Sequence, residues 1–452
     1  MYDEISDHRL LYWYQNQLRK PEYNIDRLKN IRLCGHGVVH MPAQQAGAFL
    51  LSNGEKSRFF GVAKCRNSWA CPVCSAEVMA KQGTRIACAI DALSKWYNQD
   101  CFMTTFTLPH TSHMSAQDTF TILKKTWRYF AKDPQGARKR TETRTNKKGQ
   151  THVYSYVKGQ NPYGLFREQL NITYFVKVYE FTWGENSWHP HIHALFWVPK
   201  KNWSKIPNYE DSLLERWWQC AKKSALEYYN SKRPDKLNEN RAFVDNLFVE
   251  WRKYPKTGHR SLYMSKNKDG SIRKQKSSFY LSGWSGDTEL TGTSIKQARN
   301  GHYTPHQILE KAYELRQTDD YKFWLNLYVE FNLAIRCSRR VDWSVIKNEK
   351  SFHEIIEAWQ RTNQYTEVLK KKATAKAAWH VVCWFPEQQW LLLCLRERVN
   401  PSIRTTLLQL AKKFNARELI SQYLEQFDIK LQDKPHPMQS LIENQIFNKL
   451  AS

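Results

Sequence analysis

Apolar and polar positions alternate most clearly between residues 174 and 199. Tyr174-Phe-Val-Lys-Val-Tyr-Glu180-Phe-Thr182 and Trp188-His189-Pro190-His191-Ile192-His193-Ala194-Leu195-Phe196 read as two strands, with Gly184-Glu185-Asn186-Ser187 as a hairpin turn between them. Alternate residues of a strand share a face. His191 and His193 therefore project together, and Ile192 turns into the core behind them. A hairpin centred between Glu185 and Asn186 pairs Glu180 with His191 and puts both on one face. A slip of one residue would send Glu180 to the other face. One carboxylate and two imidazoles on a common face make a three-ligand site for a divalent cation with open positions.

Elsewhere the spacing is mostly helical. Leu10, Leu11, Tyr14 and Leu18 form an apolar stripe ending near Pro21. Further helices are predicted over 76–89, 111–133 (Phe120, Leu123, Trp127, Phe130), around Leu213, Trp217, Trp218 and Leu226, from Tyr303-Thr304-Pro305, and over 323–334. Phe102-Met-Thr104-Thr105-Phe106-Thr107 is β-branched and aromatic and predicts a strand, ending in Pro109-His110. Residues 134–160 have no apolar period and predict a mobile loop. Arg138, Lys139, Arg140, Lys147 and Lys148 in it are candidates for DNA-backbone contact, and a solvated loop is the plainer alternative. Arg339-Arg340-Val-Asp-Trp343-Ser344 suits a helix terminus that packs a tryptophan. Near the end, Trp379–Trp384 and Trp390–Leu395 flank Pro386-Glu-Gln-Gln and predict a hairpin. Two helices follow. Asn400-Pro401 caps the first, which carries a stripe of Ile403, Leu407, Leu410 and Phe414, and a capping box of Asn415 and Glu418 starts the second.

Charge narrows the partner. Lys and Arg number 69 against 43 Asp and Glu, a formal net charge of +26. Such an excess points to a polyanion. Nucleic acid fits better than membrane, because no apolar run is long enough to span a bilayer. Met1-Tyr-Asp-Glu is not the start of a signal peptide, and a cytoplasmic protein is expected. A hydrophobic fraction of 41% with 18 tryptophans indicates a folded chain. No Walker loop is present, which excludes an ATPase of that class.

Ten cysteines without a secretion signal suggest metal binding in a reducing compartment. Cys71-Pro-Val-Cys74 is a zinc-knuckle half-site, and tetrahedral zinc needs two more ligands. Cys65 and Cys34 are the candidates, with His36 and His40 in reserve, and unligated structural cysteines are the alternative. A structural zinc would stabilise a segment with little core of its own.

The string His191-Ile192-His193 resembles the histidine-hydrophobe-histidine motif of the HUH endonucleases, and more narrowly the rolling-circle replication initiators of bacterial plasmids. The Thr-rich run before His110, the Cys-x5-Cys-Pro-x-Cys string, the Thr304-Pro305 helix start and the Trp343-Ser344 element resemble segments of the same family, in the same order. The resemblance implies a tyrosine nucleophile that attacks a phosphodiester, with Mg²⁺ or Mn²⁺ held by His191, His193 and Glu180, and His110 as a possible accessory. Ser277-Ser-Phe-Tyr280-Leu-Ser-Gly283-Trp284, followed by Glu289-Leu-Thr-Gly292, resembles the family's tyrosine motif and makes Tyr280 the nucleophile. The chain departs from that motif at Gly283, where a lysine is usual, and at Lys276, where some members have a glutamate. Tyr263-Met-Ser-Lys266 keeps the Tyr-x-x-Lys spacing, so Tyr263 is the second candidate.

The expected fold class is α/β (α+β). An HUH core with an antiparallel, ferredoxin- or RRM-like sheet should carry the histidine strand centrally. The expected segments are a helical, Cys-rich zinc-binding part over 1–90, the nicking-joining domain over 91–300, a helical closing segment over 301–350 and a hairpin-helix module over 351–452. The resemblance implies single-stranded or cruciform origin DNA as substrate, with a host helicase and polymerase as partners. Aromatics near 188–197 and 279–284 are candidates to stack unpaired bases, and Lys276 joins the DNA-contact candidates. A single-strand transposase or relaxase of the same fold, and a non-catalytic zinc protein that binds nucleic acid, stay open as alternatives.

Overall fold

Strands β1 (Gly47–Ser52), β2 (Ser57–Phe60), β3 (Gln99–Thr107), β4 (Arg138–Thr145), β5 (Thr151–Lys158), β6 (Tyr174–Gly184), β7 (Ser187–Pro199), β8 (Leu262–Met264), β9 (Val341–Val345) and β10 (His380–Pro386) form three sheets in the computed structural model. It describes residues 4–38, 47–55, 57–131, 138–145, 151–158, 162–253, 262–276, 290–291, 301–335, 338–345, 351–362, 380–397, 399–400 and 402–431. Every strand pair in the sheets is antiparallel, and helices pack on them, so the fold is mixed α/β.

The largest sheet has the order β8-β3-β7-β6-β9, which puts the histidine strand β7 in the middle. The β6–β7 hairpin closes between Gly184 and Ser187, and Glu180 pairs with His191, the register that the alternation predicts. Helices cover both faces of this sheet. On one face Phe102, Phe106, Ile192, Ala194 and Phe196 are buried with Trp127 and Phe130 of the helix Ala116–Ala131 and Trp217 of the helix Glu210–Lys232. On the other, Met103, Val176, Val178, Leu195 and Trp197 meet Ile86, Ala89 and Leu93 of the helix Pro72–Trp96 and Ile355 and Trp359 of the helix Phe352–Gln360. Burial on both sides explains why the strands are apolar well beyond simple alternation. Ile192 is fully buried, which is worth about 2 kcal/mol in transfer free energy.

The second face changes character along β7. Trp197 and Leu195 are buried under the helix Pro72–Trp96, while His193, His191 and His189 continue the same row toward the turn. Pro72 and Ser75, at the start of that helix, line a small cavity with Glu180 and Arg340. The polar end of the row thus lies beside the cysteine segment that precedes the helix.

Several expectations are corrected. Residues 134–160 are not one loop: β4 and β5 pair as an antiparallel ribbon, and in β4 Thr141, Thr143 and Thr145 alternate with Arg140, Glu142 and Arg144. Residues 341–345 are an edge strand on β6, not a helix terminus. The C-terminal hairpin does not form. Glu387–Arg396 is a helix with Trp390, Leu393 and Cys394 buried at helical spacing. Strand β10 pairs instead with β1, the middle strand of β10-β1-β2. Residues 47–60 and 380–431 share one core, containing Leu50, Phe59, Phe385, Trp390, Leu407 and Leu424. The segment boundaries at 90 and 351 therefore divide residues that pack together. The next helix, Ile403–Leu410, has Ser402 rather than Asn400 at its N-cap, and Phe414 is 92% exposed, off the apolar stripe. Asn415 does precede the helix Ala416–Glu425, but in a left-handed conformation without a side-chain cap. Among the described residues no helix is long and apolar enough to cross a membrane.

Candidate functional site

Two cross-strand rows build the site on the second face of the large sheet. One row pairs Thr107, His191 and Glu180, and the next pairs Thr105, His193 and Val178. Directly opposed residues share a face. Glu180 reaches diagonally, and its Oε2 lies 2.6 Å from His193 Nε2. The Thr105 hydroxyl lies 2.9 Å from the other ring nitrogen, Nδ1. Glu180, His193 and Thr105 are buried, and His191 is half-buried, so the pair sits at the floor and His191 at the rim. The His191 and His193 rings have centroids 5.9 Å apart.

Imidazoles extend the row outward. His189 lies 4.2 Å from His191, and His110 lies 4.4 Å from His189, between ring centroids. His302 is 6.4 Å from His189. It packs over Gly184, where a Cβ would come within 2.5 Å of its Nδ1, so only glycine fits there. Trp183 and Tyr303 exchange two backbone hydrogen bonds, of 2.8 and 2.7 Å, and fix the Thr304-Pro305 helix start against β6. Thr304 caps that helix in a capping box with Gln307.

A buried cation stands behind Glu180. Arg340 Nη1 donates to the Ser68 carbonyl at 3.1 Å and to Ser75 Oγ at 3.3 Å, and its guanidinium lies 5.1 Å from the centre of the Trp69 ring. Burial pushes its pKa down to about 10, and the charge of Glu180 opposes that shift. His306 lines the same cavity as Glu180 and Arg340. Burial lowers its pKa, but Glu310 and Asp7 carry it above the ordinary histidine value. Arg340, Thr105 and His306 were not assigned roles from sequence. Their partners lie far away along the chain, and only the Thr-rich character of β3 hinted at one of them.

The four candidate cysteines come together. Cys34, Cys65, Cys71 and Cys74 place their sulfur atoms within 4.8 Å of one another, a cluster able to coordinate a metal ion. It is the one group of three or more His, Cys, Asp or Glu residues among the described residues that gathers its ligand atoms so closely. Cys71 is the N-cap of the helix Pro72–Trp96, and the Cys74 amide donates to its sulfur. The Cys65 amide donates to Cys34 Sγ at 3.4 Å. The thiols of Cys65, Cys71 and Cys74 all turn toward Cys34 and hold it well below the usual thiol range, while burial pushes Cys71 up. Three thiols crowded around one thiolate, with amide N–H groups aimed at sulfur, is the electrostatic pattern of a cation-binding site. His36 is not drawn into the cluster: its Nδ1 lies 3.3 Å from the Cys34 carbonyl and its Nε2 faces Arg19. His40 lies outside the described residues.

Two curated proteins are similar in sequence. A "Protein rep" of Streptomyces lividans is 23% identical over 309 residues, 63% of this chain and 62% of that protein. A "Neomycin resistance protein" of Streptomyces cyanogenus is 29% identical over 150 residues, 30% of this chain and 31% of that protein. The matched region thus spans less than two thirds of either relative. No family model matches the chain, and no solved structure matches it.

The remaining candidates fall as follows. Tyr280 lies outside the described residues. Of the Glu289-Leu-Thr-Gly292 tail, Leu290 and Thr291 are described. They are buried, and Gly83 of the helix Pro72–Trp96 admits Thr291, since a Cβ there would meet its Oγ1 at 2.6 Å. Tyr263 is in β8, paired with Thr105, so its position falls in the row of His193. Arg138, Lys139 and Arg140 are in β4, Lys147 and Lys148 lie outside the described residues, and Lys276 is exposed. Trp188, Phe196 and Trp197 are not available for stacking: each is at most 1% exposed, because both faces of the sheet are covered. The other set, 279–284, lies outside the described residues.

Proposed function

We propose that this protein nicks one strand of DNA at a replication origin and later rejoins it, through a covalent tyrosine intermediate, as a rolling-circle initiator of the HUH type. The observation that carries this is the pair Glu180–His193, 2.6 Å apart on the sheet's central strands with Thr105 behind it and His191 on the same face. The partial likeness to a protein named for replication, the +26 charge and the cysteine cluster lend support.

The donor set fits a divalent cation: one carboxylate and two imidazoles on one face, Glu180 and His193 at the floor and His191 at the rim, the softer ligands favouring Mn²⁺ and availability favouring Mg²⁺. Glu180, His191 and His193 would hold it. When bound, it would polarise the phosphate oxygens and stabilise their developing charge. The four buried thiols fit zinc, which such a set selects by softness and tetrahedral preference. That ion is structural: it would pin Cys34 to the Cys65–Cys74 segment and so hold the helix that covers the sheet.

The chemistry belongs to a tyrosine. Its hydroxyl loses a proton, its oxygen bonds to phosphorus, and the bond from phosphorus to the 3′ oxygen breaks. The products are a 5′-phosphotyrosine and a 3′-hydroxyl that takes up a proton. No water enters, so the bond energy is kept for rejoining. A phenol with a pKa near 10 needs a neighbouring base or cation to react at neutral pH. Tyr280 is the proposed nucleophile, and Tyr263 is the second candidate, favoured by its place in the His193 row. The substrate is single-stranded or cruciform origin DNA, gripped at its phosphates by basic residues with a steep salt dependence. A host helicase and polymerase would extend from the 3′-hydroxyl.

The test is a labelled single strand from the cognate origin, incubated with Mn²⁺ or Mg²⁺ and wild type, Tyr280→Phe or Tyr263→Phe. A protein–DNA adduct that survives boiling in detergent, lost in one variant only, identifies the nucleophile. Tight DNA binding without an adduct in any protein would replace this function with a non-catalytic one.

A further inference from the structure

Strands β4 and β5 form a sheet of their own, and neither pairs with another strand among the described residues. In the chain they stand between the helices Ala116–Ala131 and Pro162–Gln169. Phe130 of one helix and Tyr163 of the other are buried in the same core, with ring centroids 4.7 Å apart. The ribbon is therefore an insertion whose two ends return to one packed root. Its register divides the residues unevenly. Arg138 pairs with Lys158, Arg140 with Tyr156, Glu142 with Tyr154 and Arg144 with His152, and directly opposed positions share a face. Every charged position of the two strands except Lys139 falls on that face, and the other face is otherwise Thr, Ser and Val.

The charged face holds four cations against one carboxylate. Arg and Lys are almost never fully buried without a partner, so such a surplus is no core surface and calls for an anion. Within that face the two strands differ. Strand β4 supplies the arginine positions, and β5 supplies an aromatic row of His152, Tyr154 and Tyr156. Neighbouring rows lie about 4.8 Å apart, and positions along each repeat about every 7 Å. A nucleic-acid strand laid along the ribbon can set its phosphates against one row and its bases against the other. The repeat is about twice the 3.4 Å step of a paired strand, so bases that stack there must be unpaired and spread apart. In a duplex the base faces already stack on one another, and the aromatic row would have nothing to meet.

We infer that the charged face of the β4–β5 ribbon binds a single strand of DNA, with Tyr154 and Tyr156 stacking on bases and Arg138, Arg140 and Arg144 holding phosphates. This rests on the single-strand substrate of the proposed function and names a surface that grips it. Stacking of this kind tolerates sequence, because every base offers a π-face. The register also divides the basic run at the start of β4. Arg138 and Arg140 belong to the binding face, and Lys139 belongs to the other.

The experiment measures binding of the full chain to a fluorescent oligothymidylate by anisotropy, over a series of salt concentrations and without added divalent ions. Tyr154→Leu and Tyr156→Leu should each weaken binding about fivefold or more, the loss expected for one stacked base. Tyr154→Phe and Tyr156→Phe keep the ring and should bind like wild type. Arg140→Gln and Arg144→Gln should each flatten the slope of log affinity against log salt by about 0.7, the single-strand value per phosphate. Lys139→Gln should leave affinity and slope unchanged. If both Leu variants bind like wild type, the proposal is wrong. It also fails if the Phe variants melt with wild type yet bind as weakly as the Leu ones, or if Lys139→Gln flattens the slope as Arg140→Gln does. A duplex bound as tightly, and weakened by the same variants, would make the ribbon a duplex-binding surface and overturn the single-strand assignment. Adduct formation with origin DNA is read separately. A wild type that grips the strand through the ribbon and forms no adduct keeps this surface and loses the nicking function. A wild type that forms the adduct and does not bind the oligothymidylate loses this surface alone.

Discussion

Thr105 Oγ1 lies 2.9 Å from Nδ1 of His193, whose Nε2 faces Glu180 at 2.6 Å. A hydroxyl can donate or accept, so it suits either tautomer. With Glu180 ionised, Nε2 donates to the carboxylate and Nδ1 accepts from Thr105. With Nε2 given to a cation, Nδ1–H donates back to the same hydroxyl. Groups that orient a ligand in this way are typically worth 10- to 100-fold in metal affinity. Thr105→Val keeps the branched shape inside β3 and removes the hydroxyl. We expect Mn²⁺ affinity to fall by about tenfold or more with little change in thermal stability, measured by titration of free Mn²⁺ by paramagnetic resonance. Unchanged affinity would remove Thr105 from the site.

What the sequence disclosed of this site was local. Glu180 and His191 are joined by a tight hairpin, so turn residues and alternation were enough to set their register. Cysteine chemistry also joined Cys34 to Cys74, forty positions apart, because thiol count and a Cys-x-x-Cys turn constrain the answer. The rest depended on distant partners. β1 pairs with β10, more than 300 residues later, and β10 on its own looked like half of a hairpin. Trp188 and Trp197 looked available for DNA until helices on both faces buried them. Arg340 meets Ser68 and Ser75 only through the packing of an edge strand.

Metal removal should be felt through the helix Pro72–Trp96, whose N-cap is Cys71. Cys71→Ser, or stripping with a thiol-competing chelator, should lower unfolding free energy by several kcal/mol, since ligand assembly is coupled to folding. Native mass spectrometry should find one bound ion lost. Cys88→Ala removes a buried cysteine outside the cluster and should keep the ion. Retention of the ion by Cys71→Ser would mean that the cluster is not its site.

Arg404 ties the C-terminal unit to the cysteine loop. Arg404 is 1% exposed, donates through Nε to Glu397 at 2.8 Å, and donates through Nη1 to the Gly35 carbonyl at 2.9 Å. Its guanidinium also lies 3.9 Å from the centre of the Tyr12 ring. Gly35 has φ of +78°, a conformation that favours glycine, and it directly follows Cys34 of the cysteine cluster. Arg404→Ala leaves Glu397 buried without its cation, a change that typically costs about 3–5 kcal/mol. We expect that loss in denaturant unfolding, together with faster metal release to a chelator. Stability lost with unchanged release would confine Arg404 to the C-terminal core.

Asp118 couples stability to acid. Its Oδ1 accepts from Tyr228 at 2.6 Å and Lys232 at 2.7 Å, and its Oδ2 accepts from the Ser115 amide at 3.1 Å. Burial pushes this carboxyl up, but the three donors together bring it below its ordinary value of 3.8. A carboxylate depressed in the folded state takes up its proton first in the unfolded chain. Its contribution is therefore complete above 3.8 and is lost as pH falls through the folded value. Asp118 joins the helix Ala116–Ala131 to the helix Glu210–Lys232, which together cover the first face of the sheet. Asp118→Asn should cost about 1–3 kcal/mol near neutrality. It should also flatten the fall in denaturation midpoint between about pH 5 and pH 2. Parallel curves for variant and wild type in that range would show that other carboxylates govern acid stability.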